Sequence, residues 1–519
     1  MEITYLGHAG FLVESQEIIL IMDPWLSEHG AFDSSWFQFP CNHHLAGLVR
    51  NKLSITGKKK YIYISHEHKD HFDIEFLNSI KEKDFTFIIG DFRREVLKEL
   101  LSKVRAKNLI ACRDREVIKI PGGFVQLFLD DTELNRDSAI YLSSGDNNFL
   151  NFNDCRKLDE IHYIKSEYRN IDIFTCQFSG ATWHPTCYEY SKNEYERISR
   201  RKMIGKFESV AKAIESLTPN LYIPSAGPPR FLDPVMQHLN FEEVNIFPLS
   251  YKFLNYLKKR VKNDKINFFD IMPGDTLNTQ SMKFINLSDT RIDEKNYNEY
   301  ITDYIKKYKN YFAERKYIIQ NNGYRTILER LRNELQSKLD KLSLSNRVSA
   351  PLYFILFDKP EKFLKVDFLQ GAVTFASGIA EEDNYIIKAP SWEITRILDR
   401  IITWDDFSLT FRMKLNRKPD IYQKVIEAFL VLEAEDLNEF CKKLLEIESK
   451  QERIIIEAGG CKYSINRFCP HEGGDLTHSW IEDNRYVVCP RHNWKYDLKN
   501  DGKCTLNDVS IYSISLENE

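Results

Sequence analysis

Apolar residues follow two rhythms along this chain, short runs and longer stretches at helical spacing. Residues 61–65, Tyr-Ile-Tyr-Ile-Ser, form a run that predicts a buried strand. Residues 137–142 and 149–154 flank Ser144, Gly145, Asp146 and Asn147, a cluster of turn formers, and so predict a pair of strands joined by a tight turn. Between about 296 and 345, Ile327, Leu331, Leu335, Leu339 and Leu342 recur every three or four positions with charges between them, which predicts a helix buried along one face. The stretch from about 350 to 445 mixes a strand-like run at 352–357 with a helix opened by Ser391, Trp392 and Glu393 and continued by Ile397 and Ile401. A charged run at 446–453 marks the best boundary after it. No internal repeat is visible, and no apolar run approaches the ~20 residues of a membrane span.

At 519 residues the chain has the length of about three domains, at roughly 150 residues each. Its 72 basic and 76 acidic residues leave a net charge of -4, which gives no electrostatic case for nucleic acid. The opening Met1-Glu2-Ile3-Thr4-Tyr5 has neither a basic region nor an apolar core, so no signal peptide is expected. Ten scattered cysteines form no disulfide framework and point to a reducing cytoplasm.

Chemistry concentrates in two places. Near the C-terminus stand Cys469-Pro470-His471 and, after residues 472–488, Cys489-Pro490-Arg491-His492. A structural zinc site usually keeps two thiolates together as C-x2-4-C, whereas each arm here pairs one Cys with one His. The arrangement resembles a Rieske 2Fe-2S domain, in which Cys469 and Cys489 would hold one iron and His471 and His492 the other. Gly473 and Gly474 can turn the first loop, and Trp494-Lys495-Tyr496-Asp497 before Asp501-Gly502 resembles the strand and turn after the second. High-potential respiratory relatives carry one further Cys per loop, at positions that here look like Gly474 and Arg491. The closer resemblance is to the low-potential clusters of oxygenases and their ferredoxins, with fewer hydrogen bonds to sulfur.

The second place follows the strand at 61–65, which runs into His66-Glu67-His68-Lys69-Asp70-His71. This H-x-H-x-D-H sequence resembles the metallo-β-lactamase fold, and the resemblance implies His66 and His68 on one metal and Asp70 and His71 on a second. Residues 5–12 and 22–26 resemble that fold's opening hairpin. Asp154, at the end of the second strand of the pair, is expected to bridge two cations, because a carboxylate between them lowers their repulsion. Two further histidines of the hydrolytic members are missing. No His lies between His71 and His162, leaving Asp130, Asp131 and Glu133 as nearby substitutes, and none lies at 222–227.

Residues 177–183, 224–232, 151–155 and 272–276 together resemble the CMP-N-acetylneuraminate hydroxylase family, which couples these two modules, although there the Rieske domain comes first. The resemblance implies an α+β multidomain chain: a metallo-β-lactamase-like αββα sandwich over 1–290, a helical and small α/β accessory region over 291–445, and an all-β Rieske domain over 446–519. It implies a monooxygenase that hydroxylates the N-acetyl group of CMP-N-acetylneuraminate or another N-acyl sugar nucleotide. Zinc cannot change oxidation state, so an oxygenase needs iron, mononuclear or dinuclear, at His66, His68, Asp70, His71 and Asp154. The expected partners are dioxygen, a small-molecule substrate and an external NAD(P)H-dependent reductase acting through a ferredoxin or small haem protein. The alternative is a metal-dependent hydrolase whose Rieske domain senses redox state or docks a partner. Arg230, after two stiffening prolines, suits a carboxylate or phosphate, and His184 could face the site. Trp36, His43 and His44 lie in an insertion that could line a pocket, while His8 and His29 read as packing or capping residues.

Overall fold

The computed structural model describes residues 1–516 apart from 181, 290, 321–326, 359, 451 and 508, and the backbone alone at 316–320. Ala181 of the 177–183 segment and Gln451 of the charged run lie outside the described residues.

Two sheets face each other in the N-terminal half. Eight strands pair in one, with Glu2–Gly7, Gly10–Glu14, Ile18–Met22 and Lys59–Tyr63 in order at its centre, and seven in the other, including Arg136–Ser144, Asn147–Asn151, Ile173–Gln177 and Leu221–Ser225. Side chains alternate across a strand, and the inward set, among them Ile3, Phe11, Leu20, Tyr63, Ile140 and Phe149, fills the layer between the sheets. Helices cover both outer faces. Leu45–Ser54 and Ile74–Ser79 bury Val49, Leu53, Phe76 and Leu77 against the first sheet. The long helix Lys192–Leu217 buries Phe207, Val210, Ile214 and Leu217 against the second. This is the αββα sandwich. The expected strand pair forms through Gly145 and Asp146, with Ser144 opposite Asn147 and Gly145 at a left-handed φ of 59°. Its second strand stops at Asn151, so Asp154 lies in the turn beyond it.

After the sandwich, helix Tyr297–Gln320 lays Tyr297, Ile301, Tyr304 and Tyr308 on Phe37 and Leu232. Helix Ile327–Lys341 presents Ile327, Leu331, Leu335 and Leu339 to the core of a five-stranded sheet that includes Leu352–Leu356. The helix opened by Ser391 ends at Leu398, short of Ile401, because Arg400 takes a left-handed φ of 57° and closes it. Helix Leu437–Ser449 crosses the boundary expected at 445 and packs Leu437, Phe440 and Leu444 into this accessory core. The C-terminal part is all β: a three-stranded and a four-stranded sheet around Ile465, Leu476, Val487 and Tyr496. No described helix is long and apolar enough to cross a membrane.

Candidate metal centres

The H-x-H-x-D-H loop leaves its strand at the mouth of the sandwich and is tied down from several sides. Asp23 accepts hydrogen bonds from the Ser65 amide and hydroxyl at 2.8 Å each, and its Oδ2 lies 2.9 Å from His71 Nδ1. Asp73 caps helix Ile74–Ser79 through the Phe76 amide and also binds the Leu26 and Ser27 amides at 2.8 Å. Glu67 pairs with Arg136 in the neighbouring sheet. With Nδ1 of His71 held by Asp23, its Nε2 faces the site without a hydrogen-bond partner. That is how a second layer of carboxylates orients ligating imidazoles.

Two groups of donors overlap there. His8, Asp70 and His71 form one, His66, His71 and Asp154 the other, each with ligand atoms within 4.8 Å of one another. His8 Nε2 lies 3.0 Å from Asp70 Oδ2 but lacks hydrogen-bond alignment, and Asp70 Oδ1 and Asp154 Oδ1 are also buried and unpartnered. Orphaned polar atoms converging on one point fit an ion as their common partner. Burial opposes charge on Asp70, yet His71 and His8 hold its carboxyl down to about 2. Burial likewise disfavours a charged His71, but Asp154 and Asp70 raise it to about 9. The residues are therefore disposed to bind cationic charge.

His8 was expected to pack or cap, and instead it supplies an imidazole to this group. It sits in the turn after Glu2–Gly7 at a φ of 52°, and its carbonyl accepts the Tyr5 hydroxyl and the Ala226 amide. Ala226 belongs to the segment where a histidine is missing. Asp137, on strand Arg136–Ser144, places Oδ1 3.3 Å from His66 Nδ1. Asp154 is aimed by a relay of asparagines: Asn151 Oδ1 accepts the Asn153 amide, and Asn153 Oδ1 accepts that of Asp154.

His68 has its ring 4.5 Å from that of His66, but its Nε2 lies 3.3 Å from Asp405 of the accessory region and outside both donor groups. Asp131 pairs with Arg93, Asp130 with Arg491 and Glu133 with Lys424, so these three are engaged elsewhere. Arg230 is buried, stacked 4.8 Å over Phe39 and 5.2 Å over Tyr297, and stands in neither donor group. His184 bonds Tyr190 at 3.0 Å, Trp36 packs in the core on Phe32, and His43 Nε2 lies 3.2 Å from the Tyr308 hydroxyl.

In the C-terminal domain the two Cys-His loops meet. Cys469 and Cys489 are buried, the rings of His471 and His492 lie 4.7 Å apart, and His471 Nδ1 is a buried atom without a partner. Two thiols and two imidazoles gathered this way fit a Rieske cluster. A Cβ on Gly474 would meet Cys489 Sγ at 3.0 Å, so glycine lets the loops approach. The Tyr496 hydroxyl lies 2.9 Å from Cys469 Sγ, a hydrogen bond to sulfur that the loop motifs did not reveal.

The loops press against the sandwich. Arg491 reaches Asp130 at 2.6 Å and grips Asp159 with Nε and Nη2 at 2.8 and 3.0 Å. Lys424 binds Glu133 and the carbonyls of Pro470 and His471. Glu472 is held by Asn135, with its carboxylate 3.7 Å from His471 Nε2 and 3.5 Å from His492 Nε2. Arg156, two residues beyond Asp154, donates to the Arg491 carbonyl beside His492. The two donor sets share a wall.

Comparison with known proteins agrees with the two modules. Residues 2–133 match the β-lactamase superfamily domain and residues 427–510 the Rieske [2Fe-2S] domain. The chain joins a metallo-β-lactamase-like domain to a C-terminal Rieske domain. A Rieske 2Fe-2S iron-sulfur protein of Mycobacterium tuberculosis is 25% identical over 97% of this chain and 98% of its own length. The cytidine monophosphate-N-acetylneuraminic acid hydroxylase of Xenopus laevis is 23% identical, covering 81% of this chain and 70% of the relative. Among solved structures, CmlA, a diiron β-hydroxylase from Streptomyces venezuelae, aligns over 53% of each chain with a TM-score of 0.35 and 12% identity.

Proposed function

We propose that the chain is an oxygenase in which Cys469, His471, Cys489 and His492 would hold a Rieske cluster for electron supply and His8, His66, Asp70, His71 and Asp154 would hold iron, with His68 and Asp137 at the edge of that site. The observation that carries this reading is the shared wall. Arg156 follows Asp154 by two residues and bonds the backbone next to His492, so a short covalent and hydrogen-bonded path joins one donor set to the other. A hydrolase needs a metal-bound water and no electron supply, and gives no reason to seat a redox cluster there. Bound iron would supply dioxygen activation, a task that requires a metal able to change oxidation state. The protein's own residues fix the ligand imidazoles through Asp23, orient Asp154 through Asn153, and join the two modules through Arg491.

The substrate is a polar metabolite, and the best single choice is the N-acetyl group of CMP-N-acetylneuraminate or a related N-acyl sugar nucleotide, supported by the hydroxylase relatives. Electrons come from an external NAD(P)H-dependent reductase through a ferredoxin or small haem protein. The test supplies the iron-loaded protein with CMP-N-acetylneuraminate, reductant and isotopically labelled dioxygen. A product heavier by one labelled oxygen is expected. Its absence removes this substrate, and reductant-independent hydrolysis of an ester or amide removes the oxygenase class.

A further inference from the structure

Beside the Rieske loops stand three basic side chains that have no ion-pair partner within 4 Å among the described residues. Arg156 comes from the turn after Asp154, and Lys202 and Lys206 stand one turn apart on the same face of helix Lys192–Leu217. That helix passes directly beside the second Rieske loop: Gly205 would set a Cβ 3.5 Å from Asn493, and the Ser209 hydroxyl donates to Asn493 Oδ1 at 2.7 Å. Arg156 and Lys206 both act electrostatically on His492, Lys202 acts on His471, and Lys206 also senses Asp154.

The acceptors of all three are neutral. Arg156 donates to the Arg491 carbonyl, Lys202 to the His184 carbonyl at 2.9 Å, and Lys206 to the side-chain oxygen of Gln177. Nη1 of Arg156 has no partner. Among the described residues, none of the three forms an ion pair within 4 Å, although Asp154 and Glu472 act on Arg156, Glu427 on Lys202 and Asp154 on Lys206 from farther off. All three side chains are half-buried and keep accessible surface.

Buried charges are ordinarily paired. Burial alone disfavours charge on Lys206 and Lys202, and Arg156 pushes Lys206 in the same direction. An incoming anion reverses that cost. We propose that Arg156, Lys202 and Lys206 form an anion-binding subsite that holds a carboxylate or phosphate group of the substrate between the two centres. In calling the anion part of the substrate, this rests on the oxygenase reading; the subsite itself does not. Nη1 of Arg156 is left to donate to a carboxylate or phosphate oxygen, and the two lysines add point charges that either group accepts.

The test titrates inorganic phosphate and, separately, pyruvate into the cluster-loaded protein, following heat of binding and the midpoint potential of the Rieske cluster. Saturable binding of either anion is expected, with the potential falling as negative charge arrives near His492. Charge-assisted hydrogen bonds of this kind are worth about 1.5–3 kcal/mol, so Lys206→Met and Arg156→Met should each weaken binding by about tenfold or more. The Rieske visible spectrum reports that each variant is folded. Lys107→Met, at a surface pair with Asp84, should bind as the parent does. No saturable binding to the parent, or equal affinity in parent and Lys206→Met, overturns the subsite. Anion binding by a protein that hydrolyses an ester or amide without reductant would leave the subsite standing and remove the oxygenase reading; hydroxylation by a protein that shows no saturable anion binding would do the reverse.

Discussion

The Rieske site and the anterior centre are assembled in opposite ways. All four Rieske donors come from two loops of one small domain, within residues 469–492. The anterior donors come from three distant segments, at His8, at residues 66–71 and at Asp154, with Asp137 close by. A site built from neighbouring loops depends on its own domain, whereas one built at the mouth of a sandwich depends on the register of many strands. The first should tolerate damage to the second, and the contact between them should be separable from both.

The strongest test of that asymmetry is removal of anterior donors. His66→Ala or Asp154→Ala should take product formation to background while the reduced protein keeps the resonance of a His-ligated 2Fe-2S cluster. Loss of the cluster signal in these variants would show that the two sites are not independent. Conversely, His492→Ala should abolish the Rieske signal and leave anterior metal content unchanged.

Arg491→Ala attacks the wall. It leaves Asp130 and Asp159 buried without their cation, and breaking such a pair costs about 3–5 kcal/mol. Denaturant unfolding should show a destabilised Rieske module, and reduction of the anterior centre should slow more than reduction of the cluster itself. An unchanged unfolding curve would mean that the contact does not join the modules.

A smaller effect is expected behind the anterior donors. Asp23→Asn keeps the shape but removes the carboxylate beside His71 Nδ1. Loss of such an orienting partner typically costs about 10–100-fold in metal affinity or activity, to be read by metal titration. Smallest is Tyr496→Phe, which removes the hydroxyl beside Cys469 Sγ and should lower the cluster's midpoint potential without changing its ligands. An unchanged potential would mean that this hydroxyl does not tune the cluster.

The same contrast explains what could be read from the chain. The Cys-His arms and the H-x-H-x-D-H run are contiguous, so spacing alone exposes them, and the apolar residues at helical spacing over 327–342 exposed the accessory helix. His8 could not be singled out because its role arises only when the turn after Glu2–Gly7 meets the end of Leu221–Ser225. Asp137 was visible as a strand residue, but its approach to His66 depends on how the two sheets face each other. His68 illustrates the reverse: it sits in the motif, yet Asp405, more than three hundred residues away, takes its Nε2. Arg491 stands in the second Cys-His arm, but its grip on Asp130 and Asp159 appears only once the modules are docked. Long-range partners of this kind leave no local spacing to find.

The most direct test of coupling between the two centres is a single turnover. The protein is loaded with iron, reduced, freed of excess reductant, and mixed with CMP-N-acetylneuraminate and labelled dioxygen. We expect the Rieske resonance to disappear as a product with one labelled oxygen forms, and expect both events to fail in His71→Ala. Product formation while the cluster stays reduced, or oxidation of the cluster at an unchanged rate in His71→Ala, would contradict the account.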